Sequence, residues 1–134
     1  MSIQILVADP SDLTLLGLHC ALVGQLEIDD IRTARCLDEL RVGIELFTPD
    51  IIIFNERLDP AIDVLTIVEE LRCIAPKSIL LVLGNLADGL LIRDLFACGV
   101  RGYLFSGDEL VDCIIPAVRL TLKHRIYLSP TANA

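Results

Sequence analysis

Runs of consecutive apolar residues, each about as long as a β-strand, recur along the chain. They cover residues 3–8, 50–54, 79–83 and, more briefly, 103–105, and a fainter candidate lies at 31–34. A run without polar alternation is typical of a strand that is covered on both faces, as in the parallel sheets of α/β proteins. The pattern therefore predicts five mostly buried strands.

The segments between these runs carry apolar residues at the three- and four-residue spacing of an amphipathic helix. From the first segment to the last, the stripes are Leu13, Leu16, Cys20 and Val23; Leu37, Leu40, Ile44 and Phe47; Val64, Ile67, Val68 and Leu71; Leu91, Leu95 and Cys98; and Leu110, Ile114, Val118 and Leu122. We expect each stripe to pack on one face of the sheet.

Strands and helices thus alternate as (βα)5. Crossovers between parallel strands are right-handed, and a doubly wound, flavodoxin-like α/β sheet of order 2-1-3-4-5 is the usual arrangement at this length. In such a sheet the functional crevice lies beyond the carboxyl ends of the strands. We therefore expect Asp9, Asn55, Gly84 and Ser106 to meet there, because each ends or follows a predicted strand.

The composition agrees with one compact domain, since 54% of the 134 residues are hydrophobic and 22% are charged. The formal net charge of -8 and the lack of a Lys/Arg stripe argue against direct nucleic-acid binding by this segment. No apolar run reaches the roughly 18 residues of a membrane helix, and the first residues lack the basic start of a secretory signal. We expect a cytoplasmic protein without membrane contact.

The five cysteines are well separated and form no CxxC motif, so neither a disulfide framework nor a metal site is predicted. Reduced thiols are the expectation, and a redox role for one of them stays open. His19 and His124 are isolated, with no serine or cysteine nucleophile placed beside them by a motif. The sequence therefore predicts a protein that is not an enzyme and has neither a cofactor nor a metal.

Several segments resemble the response-regulator receiver family, the CheY-like domains, and in particular the receivers of NarL/LuxR-type regulators. Residues 5–11 resemble the family's first strand and acidic loop, and residues 49–55 resemble the strand that ends in its phosphoacceptor aspartate. Residues 99–106 resemble its fifth strand, and residues 126–130 resemble the stretch that leaves its last helix. The resemblance implies a domain of two-component signal transduction and transcription regulation.

The chain departs from the family at most of the positions that carry its chemistry. Asn55 holds the acceptor position, and an amide cannot form the acyl phosphate that a carboxylate oxygen forms. Asp9 is followed by Pro10, which offers no ligand where the family has a second magnesium-binding acid. Gly84 and Ser106 replace the family's hydroxyl and lysine. Nucleophile, metal, hydrogen-bond donor and charge clamp are all affected, so the resemblance implies a degenerate phosphorylation site.

Tyr103 matches an aromatic residue that, in the family, moves between exposed and buried positions as the hydroxyl of the fourth strand engages phosphate. With Gly84 in place, the resemblance implies that this coupling is cut. Tyr103 is then either fixed in one rotamer as part of a switch or partner face, or simply packed beside the sheet edge. Arg57 is a candidate partner for Asp9 that could replace the lost lysine.

The leading hypothesis is a phosphorylation-independent pseudo-receiver, residues 1–125, that acts through protein–protein contacts as a homodimer. Residues 126–134 are expected to begin a linker or tail, and a DNA-binding helix-turn-helix domain could follow them. The alternative is a small-molecule-binding domain with its ligand over Asp9, Asn55 and Gly84. A flavin or redox enzyme on the same fold is disfavoured, because the loop after the first strand has no glycine-rich phosphate cradle.

Overall fold

A parallel β-sheet forms the centre of the computed structural model, which describes residues 3–25, 28–85, 88–106, 108–130 and 132. In chain order the elements are β1 Ile3–Ala8, α1 Asp12–Leu22, β2 Ile28–Ala34, α2 Leu37–Phe47, β3 Ile51–Asn55, α3 Val64–Ile74, β4 Ile79–Gly84, α4 Gly89–Ala97, β5 Gly102–Phe105, α5 Leu110–Leu122 and β6 Tyr127–Leu128. The predicted alternation of strands and helices is confirmed.

The sequence predicted five strands, whereas the described sheet has six. In the part of the chain described, the order is β2-β1-β3-β4-β5-β6, and every pairing is parallel. The additional strand β6 pairs with β5, and it is anchored where the Ser129 amide donates to the Tyr103 carbonyl at 3.1 Å. Residues 127 and 128, which were predicted to belong to a linker or tail, therefore extend the sheet, while the boundary at residue 125 stays a prediction.

Strand β2 is longer than predicted, because it starts at Ile28 rather than Ile31. Its first residues include Asp29, which is exposed, and every residue before the buried Ala34 is half-buried or exposed. It pairs only with β1 among the described strands and therefore lies at an edge of the sheet. Charged residues are typical of such an edge, since they oppose pairing with another chain.

Two apolar clusters fill the two faces of the sheet. On one face, Leu6, Ile52 and Val82 pack with the inner sides of α2, α3 and α4. On the other face, Ile5 and Ile53 pack with the inner sides of α1 and α5. The stripes predicted for α2 and α3 are buried at every position, so those predictions are confirmed.

The stripe predicted for α1 is wrong, because it lies on the outer side of the helix. Leu13 is 78% exposed and Leu16 is 61% exposed, whereas Leu15, Leu18 and Leu22 pack on the sheet. Both sides of this helix carry apolar residues at helical spacing, so the spacing alone does not identify the buried side.

Among the described residues, no helix combines the length and apolar character that crossing a membrane requires.

Candidate functional site

The four predicted site positions lie together at the carboxyl edge of the sheet, as expected. Asp9 follows β1, Asn55 ends β3, Gly84 ends β4 and Ser106 follows β5. Strands β1, β3, β4 and β5 are consecutive neighbours in the sheet, so their carboxyl ends form one continuous row. The chemistry of the site depends on how these residues bond to one another.

Asp9 and Asn55 are joined directly by a hydrogen bond. The amide nitrogen Nδ2 of Asn55 donates to Oδ2 of Asp9 at 2.9 Å, and Asp9 is only 3% exposed. The other Asp9 oxygen accepts from the Ser11 amide at 2.7 Å, and Oδ1 of Asn55 accepts from the Arg57 amide at 2.7 Å. Each oxygen of the Asp9 carboxylate and each end of the Asn55 amide therefore has a protein partner.

These residues do not fit a magnesium site of the receiver type. Mg²⁺ requires oxygen ligands in near-octahedral geometry, and carboxylates supply the charge that holds it. Here the Asn55 group that faces Asp9 is an NH₂, which donates hydrogen bonds and cannot ligate a cation. Pro10 is exposed and offers no side-chain ligand. Within the described residues, no group of three or more His, Cys, Asp or Glu residues is placed to hold a metal.

Gly84 is the position where the structure is most restrictive. A Cβ built on Gly84 would lie 1.7 Å from the Tyr103 hydroxyl oxygen and 2.0 Å from the ring carbon that carries it. Tyr103 is 0% exposed, so its side chain fills the space that any other residue at position 84 would need. The glycine and the buried tyrosine are therefore a matched pair.

The carboxylate of Glu56 accepts hydrogen bonds beside Gly84 and Tyr103. Its Oε1 accepts from the Tyr103 hydroxyl at 3.2 Å and from the Asn85 backbone amide, and Glu56 is only 7% exposed. A buried carboxylate is stable only when such donors replace water. The backbone amide of Glu56 donates to the Leu83 carbonyl at 2.9 Å, so the loop after β3 is bound both to β4 and to Asn85 directly after it.

Ser106 continues this network toward β5. Its hydroxyl donates to Oδ1 of Asn85 at 3.1 Å, and its backbone amide donates to the Gly84 carbonyl at 2.7 Å. Behind it, the Phe105 amide donates to the Ser129 hydroxyl at 2.8 Å. Ser106 therefore ties the ends of β4 and β5 together through a short side chain and its backbone amide.

The sequence analysis did not predict the hydrogen bonds of Glu56, Asn85 and Ser129. Glu56 and Asn85 follow predicted strands and so belong at the crevice by position, but an acidic residue next to a strand end is usually solvated, so the burial of the Glu56 carboxylate was not expected. Arg57 was proposed as a partner for Asp9, but its side chain is exposed, and no ion pair between the two occurs among the described residues.

A shallow depression of about 340 Å³ lies beside the site, over the loop between β3 and α3. It is lined by Glu56, Arg57, Asp59, Pro60, Ile62, Asp63, Val64 and Leu91. Among Glu56, Asn85, Tyr103 and Ser106, only Glu56 lines it. Asp9, Asn55 and Gly84 are not among its lining residues.

No model of a known protein family matches the chain, and no curated protein matches it. Solved structures of response regulators do resemble it. The isolated REC domain of RcsB from Salmonella enterica serovar Typhimurium, with the phosphomimetic BeF3-, gives a TM-score of 0.88 at 12% identity, covering 99% of this chain and 97% of that one. A LuxR-family two-component response regulator from Aurantimonas sp. SI85-9A1 gives 0.86 at 16% identity, covering 99% and 94%.

Longer response regulators match over part of their length. The RcsB response regulator of Salmonella typhimurium gives a TM-score of 0.87 at 12% identity, and the match covers 98% of this chain but 64% of that one. At these identities the likeness concerns the fold alone. The chain has the fold of the receiver domains of RcsB and LuxR-family response regulators.

Proposed function

We propose that this chain is a pseudo-receiver: a signalling domain that does not use phosphorylation, is not an enzyme, and acts through contacts with other proteins, including a second copy of itself. The observation that carries the proposal is the hydrogen bond from Asn55 to Asp9. In a phosphorylated receiver, several carboxylates at this place bind a cation and accept the phosphoryl group. Here a neutral amide donor and a single carboxylate stand in their place.

We infer the loss of phosphoryl transfer from the chemical groups at the strand ends. Phosphoryl transfer to a protein needs a nucleophilic oxygen, a cation to neutralise the developing charge, and donors that hold the phosphoryl oxygens. The lone pair of the Asn55 nitrogen is conjugated with its carbonyl, and the nitrogen donates one hydrogen bond to Asp9. Ser106 keeps a hydroxyl but no positive charge, and that hydroxyl donates to Asn85.

The packing of Tyr103 supports the proposal independently of that chemistry. The Tyr103 side chain is buried beside Gly84, and its hydroxyl donates a hydrogen bond to Glu56. Both contacts are made within the chain, so the buried rotamer of Tyr103 does not require a bound phosphate. We infer that the surface around β5 is held in one form, as a constant partner face rather than as a phosphorylation switch.

A phosphorylation assay tests the proposal. The protein is incubated with acetyl phosphate and Mg²⁺, and its intact mass is then measured. We expect an unchanged mass, since no carboxylate stands at the acceptor position. A gain of one phosphate that hydroxylamine removes would overturn the proposal, because that lability identifies an acyl phosphate.

The wider role that we propose is transcription regulation through an attached output domain. RcsB is recorded in complex with DNA, and the match to that structure covers 99% of this chain and 66% of RcsB, at 12% identity. With a net charge of -8, this domain itself is poorly suited to a phosphate backbone. The reading frame beyond Ala134 tests this role: we expect it to encode a helix-turn-helix domain, and a stop codon there would make the chain a separate adaptor.

A small ligand over Asp9, Asn55 and Gly84 is the competing function, and the geometry favours it less. The Tyr103 hydroxyl already occupies the space above Gly84, and Asp9 and Asn55 bond to each other. A thermal-shift screen separates the two functions, because a ligand that binds only the folded state raises the melting temperature. We expect no compound to do so through these residues.

A further inference from the structure

The amino edge of the sheet carries a group of basic side chains where β5 and β6 begin. Arg101 directly precedes β5, and Lys123 and Arg125 lie in the turn between α5 and β6. Arg72, near the end of α3, belongs to the same place, because its Nε lies 3.0 Å from where a Cβ on Gly99 would stand, in the turn before β5. We call Arg72, Arg101, Lys123 and Arg125 the basic corner, and all four are exposed.

Backbone pairing holds the turns before β5 and β6 next to each other. The Tyr127 amide donates to the Arg101 carbonyl at 2.9 Å, and Tyr127 is the register partner of Gly102. Neighbouring strands lie about 4.8 Å apart, so Arg101 and Ile126, which precede these two residues, are also neighbours. Arg125 is one residue further back. The fold therefore gathers like charges from separate segments of the chain.

The basic corner differs from most of the other cations in having no ion pairs. Arg32, Arg35 and Arg41 each lie 3.4 Å or less from a carboxylate oxygen. No ion pair to a member of the basic corner occurs within the described residues. The chain has 19 acidic residues for 11 Lys and Arg residues, so counter-charges are abundant elsewhere. Like charges held together repel one another, and a partner that supplies negative charge would relieve this repulsion.

An exposed apolar residue lies among these charges. Ile126 is 55% exposed, although it directly precedes a strand. Tyr103 and Leu128 pack on the side of the sheet that α2, α3 and α4 cover, and side chains alternate along a strand. Arg101 and Ile126, each two residues earlier, therefore belong to that same side. A surface that combines basic and apolar groups is complementary to a segment with acidic and apolar side chains.

The limited extent of the basic corner favours a short polypeptide segment over a nucleic acid. A DNA duplex carries one negative charge per about 1.7 Å of its axis and would extend past the corner. Beyond it, the duplex would lie along a domain whose formal net charge is -8. A short acidic segment can stay within the corner and avoid this repulsion.

We propose that the basic corner, together with Ile126, is a docking surface for an acidic segment of a partner protein that also carries an apolar side chain. The proposal rests on the proposed action through protein contacts and names the surface and the chemistry of the partner. The corner lies at the opposite edge of the sheet from Asp9 and Asn55, so docking leaves the strand-end network in place. Exposed ion pairs are individually weak, and we expect a Kd on the order of 1 mM for a short segment.

An NMR titration of the whole chain with a pentapeptide of four glutamates around a central leucine tests the docking. We expect saturable amide shifts at the end of α3 and in the turns before β5 and β6. Arg101→Glu combined with Arg125→Glu should weaken binding at least about tenfold, because both charges are reversed at the contact. A lack of saturable shifts, or shifts confined to other parts of the chain, would overturn the proposal.

The matched control is Arg35→Glu combined with Arg57→Glu. It changes the net charge by the same amount, but these residues follow β2 and β3 at the other edge of the sheet. Both are exposed, so the reversal should leave the fold intact. We expect the control to bind the peptide within about twofold of the unmodified chain, since distant exposed charges are screened by salt. Equal weakening by both pairs of substitutions would mean that only the net charge matters and would refute the docking surface.

The apolar part of the surface is tested by exchanging one residue on each side. Ile126→Ser should weaken binding of the leucine peptide about threefold, because it removes an apolar contact. It should leave binding of a peptide with serine in place of leucine unchanged. An equal effect on both peptides would contradict a contact between Ile126 and the apolar side chain.

A pentathymidylate, with four phosphodiesters, distinguishes an acidic protein segment from a nucleic acid. It carries the same charge as the peptide, and we expect it to bind more weakly because it offers no aliphatic side chain to Ile126. Tighter binding of the pentathymidylate at the same salt concentration would assign the corner to phosphates and overturn the proposal. The phosphorylation assay gives its result independently of these titrations.

Discussion

The carboxyl edge of the sheet and the outer side of α1 differ in where their interactions are made. At the sheet edge, Asp9, Asn55, Glu56 and Tyr103 are largely buried polar residues that bond to one another within the chain. On the outer side of α1, Leu13 and Leu16 are exposed apolar residues without such partners in the described structure. Under the proposed function, the residues at the sheet edge serve the fold, and contacts with partner proteins are made elsewhere on the surface.

The largest expected change in the free energy of unfolding distinguishes a residue on the buried side of α1 from one on its exposed side. Leu18 is 1% exposed and packs on the sheet, whereas Leu13 is 78% exposed. Leu18→Ala should lower the free energy of unfolding by about 3 to 4 kcal/mol, since it removes buried methyl groups and leaves a cavity. Leu13→Ala should change it by less than about 0.5 kcal/mol. Urea denaturation of both variants checks this, and equal losses would mean that the buried side of α1 is misassigned.

The next prediction concerns the matched pair at the sheet edge. Gly84→Ala should cost about 3 kcal/mol, because the new Cβ overlaps the Tyr103 hydroxyl and forces the ring or β4 to move. Gly89→Ala is the control, since a Cβ at Gly89 meets nothing within 4 Å in the described structure. The double variant Gly84→Ala with Tyr103→Leu should recover part of the loss relative to Tyr103→Leu alone. Denaturation curves of the four chains give the coupling, and additive losses would contradict the pairing.

The buried carboxylate should matter somewhat less. Glu56→Ala leaves the Asn85 amide and the Tyr103 hydroxyl without the acceptor they share, and we expect a loss of about 2 kcal/mol. Glu69→Ala is the control, because Glu69 lies exposed on α3. Chemical denaturation measures both variants. A loss at Glu56 no greater than that at Glu69 would show that the network adds nothing to stability.

The smallest effect is a pH dependence at β6. Burial, reinforced by a hydrogen bond with Cys113 and the nearby charge of Asp108, raises the pKa of Tyr127 to about 12 from its usual value near 10. A raised pKa means that this contribution to stability is complete below pH 10 and is lost as the pH rises toward 12. The loss should be no more than about 1 kcal/mol, because the side chain is only partly buried. Tyr127→Phe should show a flatter decline over this range in urea denaturation, and parallel curves would contradict the assignment.

Much of the fold followed from the sequence because its apolar positions are unambiguous. The run at β1 has the observed bounds, and α2 has apolar residues mainly on one side, so its buried stripe was evident. In α1, Leu13 and Leu16 alternate with Leu15 and Leu18, and periodicity cannot separate two apolar sides. Strand β6 has two residues, too few to leave a pattern.

The candidate site was predictable in position but not in its internal bonding. Asp9, Asn55, Gly84 and Ser106 could be placed because strand ends of a parallel sheet converge. The role of Glu56 depends on space that Gly84 leaves on one strand and that Tyr103 fills from another. Such a dependence between three separated segments leaves no local signal in the sequence.

The central claim is that the whole phosphorylation site has been lost, rather than the acceptor alone. The most direct measurement is the intact mass of the Asn55→Asp variant after incubation with acetyl phosphate and Mg²⁺. We predict no phosphate on this variant, because Pro10, Gly84 and Ser106 still lack the second metal ligand, the hydroxyl and the cation. Efficient formation of an acyl phosphate at position 55 would contradict the account, since it would show that the remaining residues still support phosphoryl transfer.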